Sequence, residues 1–108
     1  MRLFIAIPAL DELDFLPQTM RSIASQQTEH PFEVCVCVNQ PDSWWENPEK
    51  TEICEQNQKL LSWLEGQQFP FSLHLIDKSS RGKGWDDKNF GIGFARKVLF
   101  DHIMSVAD

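Results

Sequence analysis

No apolar stretch in this 108-residue chain approaches the ~20 residues that a membrane-crossing helix needs, so no membrane span is expected. Met1-Arg2 leads into a short apolar run that meets Pro8 and acidic residues without a small-residue cleavage site. No signal peptide is read there, and the expected location is the cytoplasm. Cations are in short supply: ten Lys and Arg stand against sixteen Asp and Glu, a formal net charge of −6. Nucleic-acid binding rests on neutralising phosphates, so no nucleic-acid partner is expected. The three cysteines are an odd set and build no disulfide framework. Internal repeats, low-complexity tracts and linkers are also missing, which leaves one domain over 1–108. That is short for an α/β catalytic domain, which often runs to roughly 200–250 residues.

What is there is an alternating series of apolar patterns. Leu3 to Ile7 reads as a first strand, apolar on both faces and ended by Pro8. Leu13, Leu16, Met20, Ile23, Ala24 and Gln27 mark a helical face, with Asp14 as its N-cap, Pro17 in its first turn and an end near Gln27. Phe32 to Val38 is a central strand: Phe32, Val34, Val36 and Val38 share one face, and Cys35 and Cys37 the other. Asn39 to Ser43 is a loop. Asn47-Pro48 then supplies an N-cap and first-turn proline for a helix carried by Ile53, Leu60, Leu61 and Leu64, with Gly66 as its terminator.

Phe71, Leu73 and Leu75 alternate with Ser72 and His74, which indicates a third strand at a sheet edge. A polar loop from Lys78 to Gly84 precedes a last helix from about Asp87 to Ala107. The order β-α-β-α-β-α indicates an α/β fold, a three-layer Rossmann-like arrangement on a mainly parallel sheet with right-handed crossovers.

Several residue types admit a chemical and a plain reading. Cys35 and Cys37 have no second Cys or His pair at ligand spacing, so they read as buried apolar thiols rather than as a metal site. His30, His74 and His102 are scattered and read as structural or solvent-facing. Trp63 reads as helix packing, Trp44-Trp45 as a loop plug, and Trp85 as packing or a group near a ligand. Asp86-Asp87 reads as a helix N-cap rather than a metal motif. Lys78, Arg81, Lys83, Lys88, Arg96 and Lys97 gather in one region, which suits either a small anionic ligand or a solvated face.

In a parallel sheet the strand C-terminal ends converge on one edge, where ligands bind in the crevice between diverging loops. Here those ends are Pro8 to Glu12, Asn39 to Asp42 and Asp77 to Gly84. They offer the amides, carboxylates and cations that a base, a ribose and a diphosphate require.

Two pieces of sequence resemble inverting glycosyltransferases of family 2. The first is the strand-Pro-small-acidic start, Leu3 to Glu12; the second is Gly91-Ile92-Gly93-Phe94-Ala95-Arg96-Lys97, which resembles a Gly-x-x-x-Ala-Arg-Asn helix start with Lys97 in place of Asn. The resemblance implies the N-terminal, nucleotide-sugar-binding half of a GT-A domain. Pro8, Ala9 and Leu10 would then lie against base and ribose, with Glu12 as the acidic loop residue. Asn39 would stand where the family usually carries Asp, with Lys83, Gly91 and Arg96 toward the diphosphate. The loop Asn39-Gln40-Pro41-Asp42-Ser43 departs from the family's Asp-Asp-Gly-Ser form.

The complete family domain would use Mn²⁺ or Mg²⁺ on an Asp-x-Asp, and an acidic base on the acceptor. Neither motif is in this chain, so no catalytic residue, metal ligand or cofactor is assigned to it, and it is expected to be inactive alone. The rival readings are a receiver-like signalling domain, for which Asp77 would be the phosphoacceptor, and a non-catalytic interaction module. The resembled strand order, 3-2-1-4, puts strand one at an edge here, without an inward charge or a mid-strand proline to protect it. A homo-oligomer is therefore expected.

Overall fold

The computed structural model describes residues 3–10, 13–26, 31–86 and 92–106. Strands β1 (Leu3–Ala9), β2 (Phe32–Asn39) and β3 (Ser72–Lys78) alternate with helices α1 (Leu16–Ser25), α2 (Thr51–Gly66) and α3 (Ile92–Val106). The strands form one parallel sheet in the order β1-β2-β3. Leu3 pairs with Phe32 and Ala9 with Val38, while Cys35 pairs with His74 and Asn39 with Lys78. The architecture is the expected Rossmann-like α/β arrangement.

Alternation along β2 decides the layering. Val34, Val36 and Val38 pack with Leu16, Met20 and Ile23 of α1 and Leu60, Leu61 and Leu64 of α2. Cys35 and Cys37 face the other way, onto Ala95 and Leu99 of α3. Each fully buried leucine, such as Leu60 or Leu99, contributes about 1.5–3 kcal/mol by leaving water. Every residue of β2 from Val34 to Asn39 is buried, as a central strand covered on both faces must be.

Pro8 does not end β1. The strand continues to Ala9, with Pro8 opposite Cys37. At an edge a proline can turn its missing N–H to the unpaired side. The edge therefore does carry a proline near its C-terminal end, and Ala6 is exposed rather than buried.

Both helix starts also differ from expectation. Phe15, not Asp14, is the residue before α1, and no side chain caps it. Asn47 sits one turn ahead of α2: its Oδ1 accepts from Glu49 N at 3.0 Å, and its carbonyl accepts from Lys50 N and Thr51 Oγ1. An Asn-Pro pair thus builds an Asx turn that feeds the helix instead of capping it. Between Asn39 and that turn, Asp42–Glu46 coils into a short 3-10 segment. The expected start of the last helix at Asp87 lies outside the described residues.

Candidate functional site

The three strand ends meet as expected, and one side chain ties them. Asn39, buried at the end of β2, donates from Nδ2 to the Ala9 carbonyl at 3.0 Å and to the Cys37 carbonyl at 3.2 Å. Its Oδ1 accepts from the Trp85 indole N–H at 3.1 Å. Both amide hydrogens are used within the protein. Asn39 thus joins the end of β1 to the loop after β3.

That loop is fastened to the segment after β2. Trp85 N donates to the Gln40 carbonyl and Asp42 N to the Trp85 carbonyl, at 2.9 and 2.8 Å. The Asp42 carboxylate accepts from Gly82 N at 2.8 Å. Gly82 takes φ +85°, a left-handed conformation that suits glycine, and a Cβ on Gly84 would lie 2.7 Å from Asp42 N and from the Gln40 carbonyl oxygen. Trp45 Nε1 donates to the Ser79 carbonyl at 2.9 Å, so this tryptophan plugs the loop as its sequence context suggests.

Asp77 at the end of β3 folds the next residues around itself. Its carboxylate accepts from Ser79 N, Ser79 Oγ, Ser80 N and Ser80 Oγ, and Lys83 Nζ lies 3.7 Å away. Burial opposes its ionisation, yet the hydrogen bonds from Ser80 and Ser79 hold its carboxyl below the ordinary value. Beneath this loop Gln40 Oε1 accepts from Asn57 Nδ2 at 2.9 Å, and Gln58 Nε2 donates to Ser80 Oγ at 3.1 Å. No buried side-chain nitrogen or oxygen among the described residues lacks a hydrogen-bond partner. The edge is therefore preorganised rather than floppy.

The expected site residues divide by what they can offer a ligand. Ala9 is fully buried in the core. Asn39 is spent on the scaffold. Leu10 and Lys83 are exposed at the edge. Pro8 and Arg96 line one groove of about 340 Å³ between β1 and α3, with Ala6, Leu99, Phe100 and Ile103. Glu12 and Gly91 lie outside the described residues. A second cleft of about 310 Å³ opens at the opposite, N-terminal end of the strands, between Leu3, Phe32, Phe69 and Phe71.

Asp42, Gln40 and Ser80 are organising residues that sequence reasoning did not single out. Asp77-Lys78-Ser79-Ser80 carried a signal, an acid followed at the second and third positions by hydroxyl residues, which is the pattern of a self-capping turn. Comparison of the chain with protein-family models, curated proteins and solved structures found no match.

Proposed function

We propose that the C-terminal edge of this sheet binds the nucleoside diphosphate portion of a nucleotide sugar, as the donor-binding part of a family 2-like inverting glycosyltransferase. The observation that carries this reading is the convergence of three strand ends held together through Asn39, Ala9 and Trp85. Around that scaffold Leu10 offers an exposed apolar surface to a base, and Lys83 and Arg96 are exposed cations for the phosphates.

The family's Mn²⁺ or Mg²⁺ does not fit the acids described at this edge. Asp77 is surrounded by hydroxyl, amide and ammonium donors, and Asp42 is committed to the amides of Gly82 and Gly84. This chain alone binds the donor without transferring its sugar. NMR titration with UDP and GDP tests the reading. Shifts gathered at Leu10, Glu12, Lys83 and Arg96 are expected; shifts confined to the opposite strand ends, or none at millimolar nucleotide, overturn it. Sugar transfer above a no-protein control with Mn²⁺ present overturns the inactive assignment.

The second part of the reading is self-association. Strand β1 is an edge, and beside it Phe100 and Met104 of α3 are 63% and 64% exposed. An unpaired edge next to an apolar helix face favours pairing with a second copy. Light scattering coupled to size exclusion is expected to show a dimer or larger species in the tens of micromolar range; a monomer there excludes it.

A further inference from the structure

Away from the nucleotide edge, three elements bring unlike ligand atoms to one point. Cys35 of β2 and His74 of β3 are register partners on the face that α3 covers. His102 descends from α3 so that its Nε2 stands 2.9 Å from His74 Nδ1. The Cys35 sulfur and one nitrogen from each histidine all lie within 4.8 Å of one another. Cys35 is buried, and the histidines are partly covered.

We propose that Cys35, His74 and His102 bind one zinc ion. A thiolate with two imidazoles is a borderline-soft set that suits Zn²⁺ and rejects Mg²⁺ and Ca²⁺, which take oxygen ligands. The far nitrogen of His74 supports the assignment. Its Nε2 lies 2.8 Å from Glu33 Oε1, and both side chains are largely covered, 20% and 17% exposed. A carboxylate can only accept, so Glu33 places the imidazole hydrogen on Nε2 and leaves the Nδ1 lone pair aimed into the cluster. Carboxylate-oriented histidines of this kind are the usual outer support of zinc ligands.

The metal-free arrangement closes with His102 Nε2–H donating to that lone pair. A zinc ion takes the place of this hydrogen, His102 holds its proton on Nδ1 instead, and the Cys35 thiol releases its proton to solvent as it ligates. Tetrahedral bonds of about 2.0–2.1 Å put two ligand nitrogens about 3.3 Å apart. The two imidazoles therefore need to separate by a few tenths of an ångström and to tilt so that both lone pairs converge on the ion, with the Cys35 sulfur drawing in beside them. Water fills the fourth corner, since three protein ligands leave it open. The ion fastens α3 to β3, whereas α3 otherwise packs chiefly over β1 and β2.

Cys37, the neighbouring thiol on the same face, is not part of the cluster. The inference is independent of the nucleotide reading, because none of its residues belongs to the strand C-terminal edge.

The test is Co²⁺ and Zn²⁺ titration of the tag-free full chain after chelator treatment. One equivalent of Co²⁺ is expected to give tetrahedral d–d bands and a thiolate charge-transfer band, and one Zn²⁺ per chain should bleach both. Cys35→Ala is expected to remove the charge-transfer band, and His102→Asn, at a partly exposed helix position, to weaken Zn²⁺ by at least tenfold. Glu33→Gln should weaken Zn²⁺ by about 10–100-fold with an unchanged circular dichroism spectrum. A wild-type chain that gives no charge-transfer band, or a folded His102→Asn that keeps full affinity, overturns the site. The wild-type spectrum and His102→Asn decide the matter even where Cys35→Ala does not fold.

Discussion

The indole of Trp85 is held by Asn39, forty-six residues earlier in the chain, through an N–H···O bond of 3.1 Å. The same carboxamide satisfies the last carbonyl of β1. One side chain thus links the end of β1 to the loop after β3, and its chemistry can be tested without reference to any ligand.

Asn39→Asp keeps shape and removes the donors. The new carboxylate would face the carbonyls of Ala9 and Cys37, taking away two buried side-chain hydrogen bonds and setting a negative charge against two carbonyl oxygens. Stability is expected to fall by about 2–4 kcal/mol, from the lost bonds and the buried unpaired charge. Urea unfolding followed by circular dichroism measures this directly, and a change below 0.5 kcal/mol, on the order of an ordinary surface substitution, would show the tie to be dispensable.

Three glycines form a graded series. Gly84→Ala drives a Cβ into backbone at Gln40 and Asp42, and should cost about 1–3 kcal/mol as overpacking does. Gly82→Ala meets open space but a left-handed backbone, costing about 1–2 kcal/mol. Gly66→Ala, at the last residue of α2 with nothing within 4 Å, should gain about 0.5–1 kcal/mol. Melting temperatures should therefore rank Gly66→Ala above wild type and both other variants below it.

Asp77 links this loop to pH. Its folded pKa lies below the ordinary value of 3.8 because the Ser79 and Ser80 hydrogen bonds outweigh burial. Its contribution to stability is therefore present above pH ~4 and is lost as pH falls from there through the lowered folded value. Asp77→Asn should flatten the acid limb of stability plotted against pH and leave the slope above pH 6 as it was. An unchanged acid limb would assign that dependence to other carboxylates.

Cys37 is predicted to be chemically silent, because burial raises its pKa to about 11. Alkylation by iodoacetamide at pH 8 is expected to label Cys37 only at the rate of unfolding, rising with urea in step with the loss of helix signal. Rapid labelling in native buffer would mean that α3 lifts from the sheet.

Arg96 separates binding from folding. It is exposed on α3 beside Pro8, so Arg96→Ala should leave the melting temperature unchanged. A UDP affinity reduced several-fold is expected, as for loss of one cation–phosphate contact. Equal affinity in the variant would move the diphosphate away from the β1–α3 groove.

Much of the frame was legible because β2 and α2 obey simple periods. The valines at 34, 36 and 38 and the cysteines at 35 and 37 had to oppose one another, and Leu60, Leu61 and Leu64 had to share a helix face. Boundaries were less legible: Pro8 is tolerated only because no strand pairs on its far side, a fact of assembly and not of residue type. At the site, sequence placed Asn39 at the right strand end but could not say that its amide points inward. The Cys35, His74 and His102 cluster was invisible for a related reason. Its members come from three elements, and their meeting depends on the β2–β3 register and on where α3 crosses.

The parallel sheet also governs how this chain must assemble in time. No two of its strands can zip from a tight turn, because a helix intervenes between Leu3 and its partner Phe32, and again between Glu33 and Ser72. Every inter-strand ladder must first close a long loop, so local helix formation precedes pairing, and the entropy of closure sets the barrier. Folding should consequently be slow for a chain of this size. A shortened connection between β1 and β2 would accelerate it more than any gain in core packing made after the barrier is crossed.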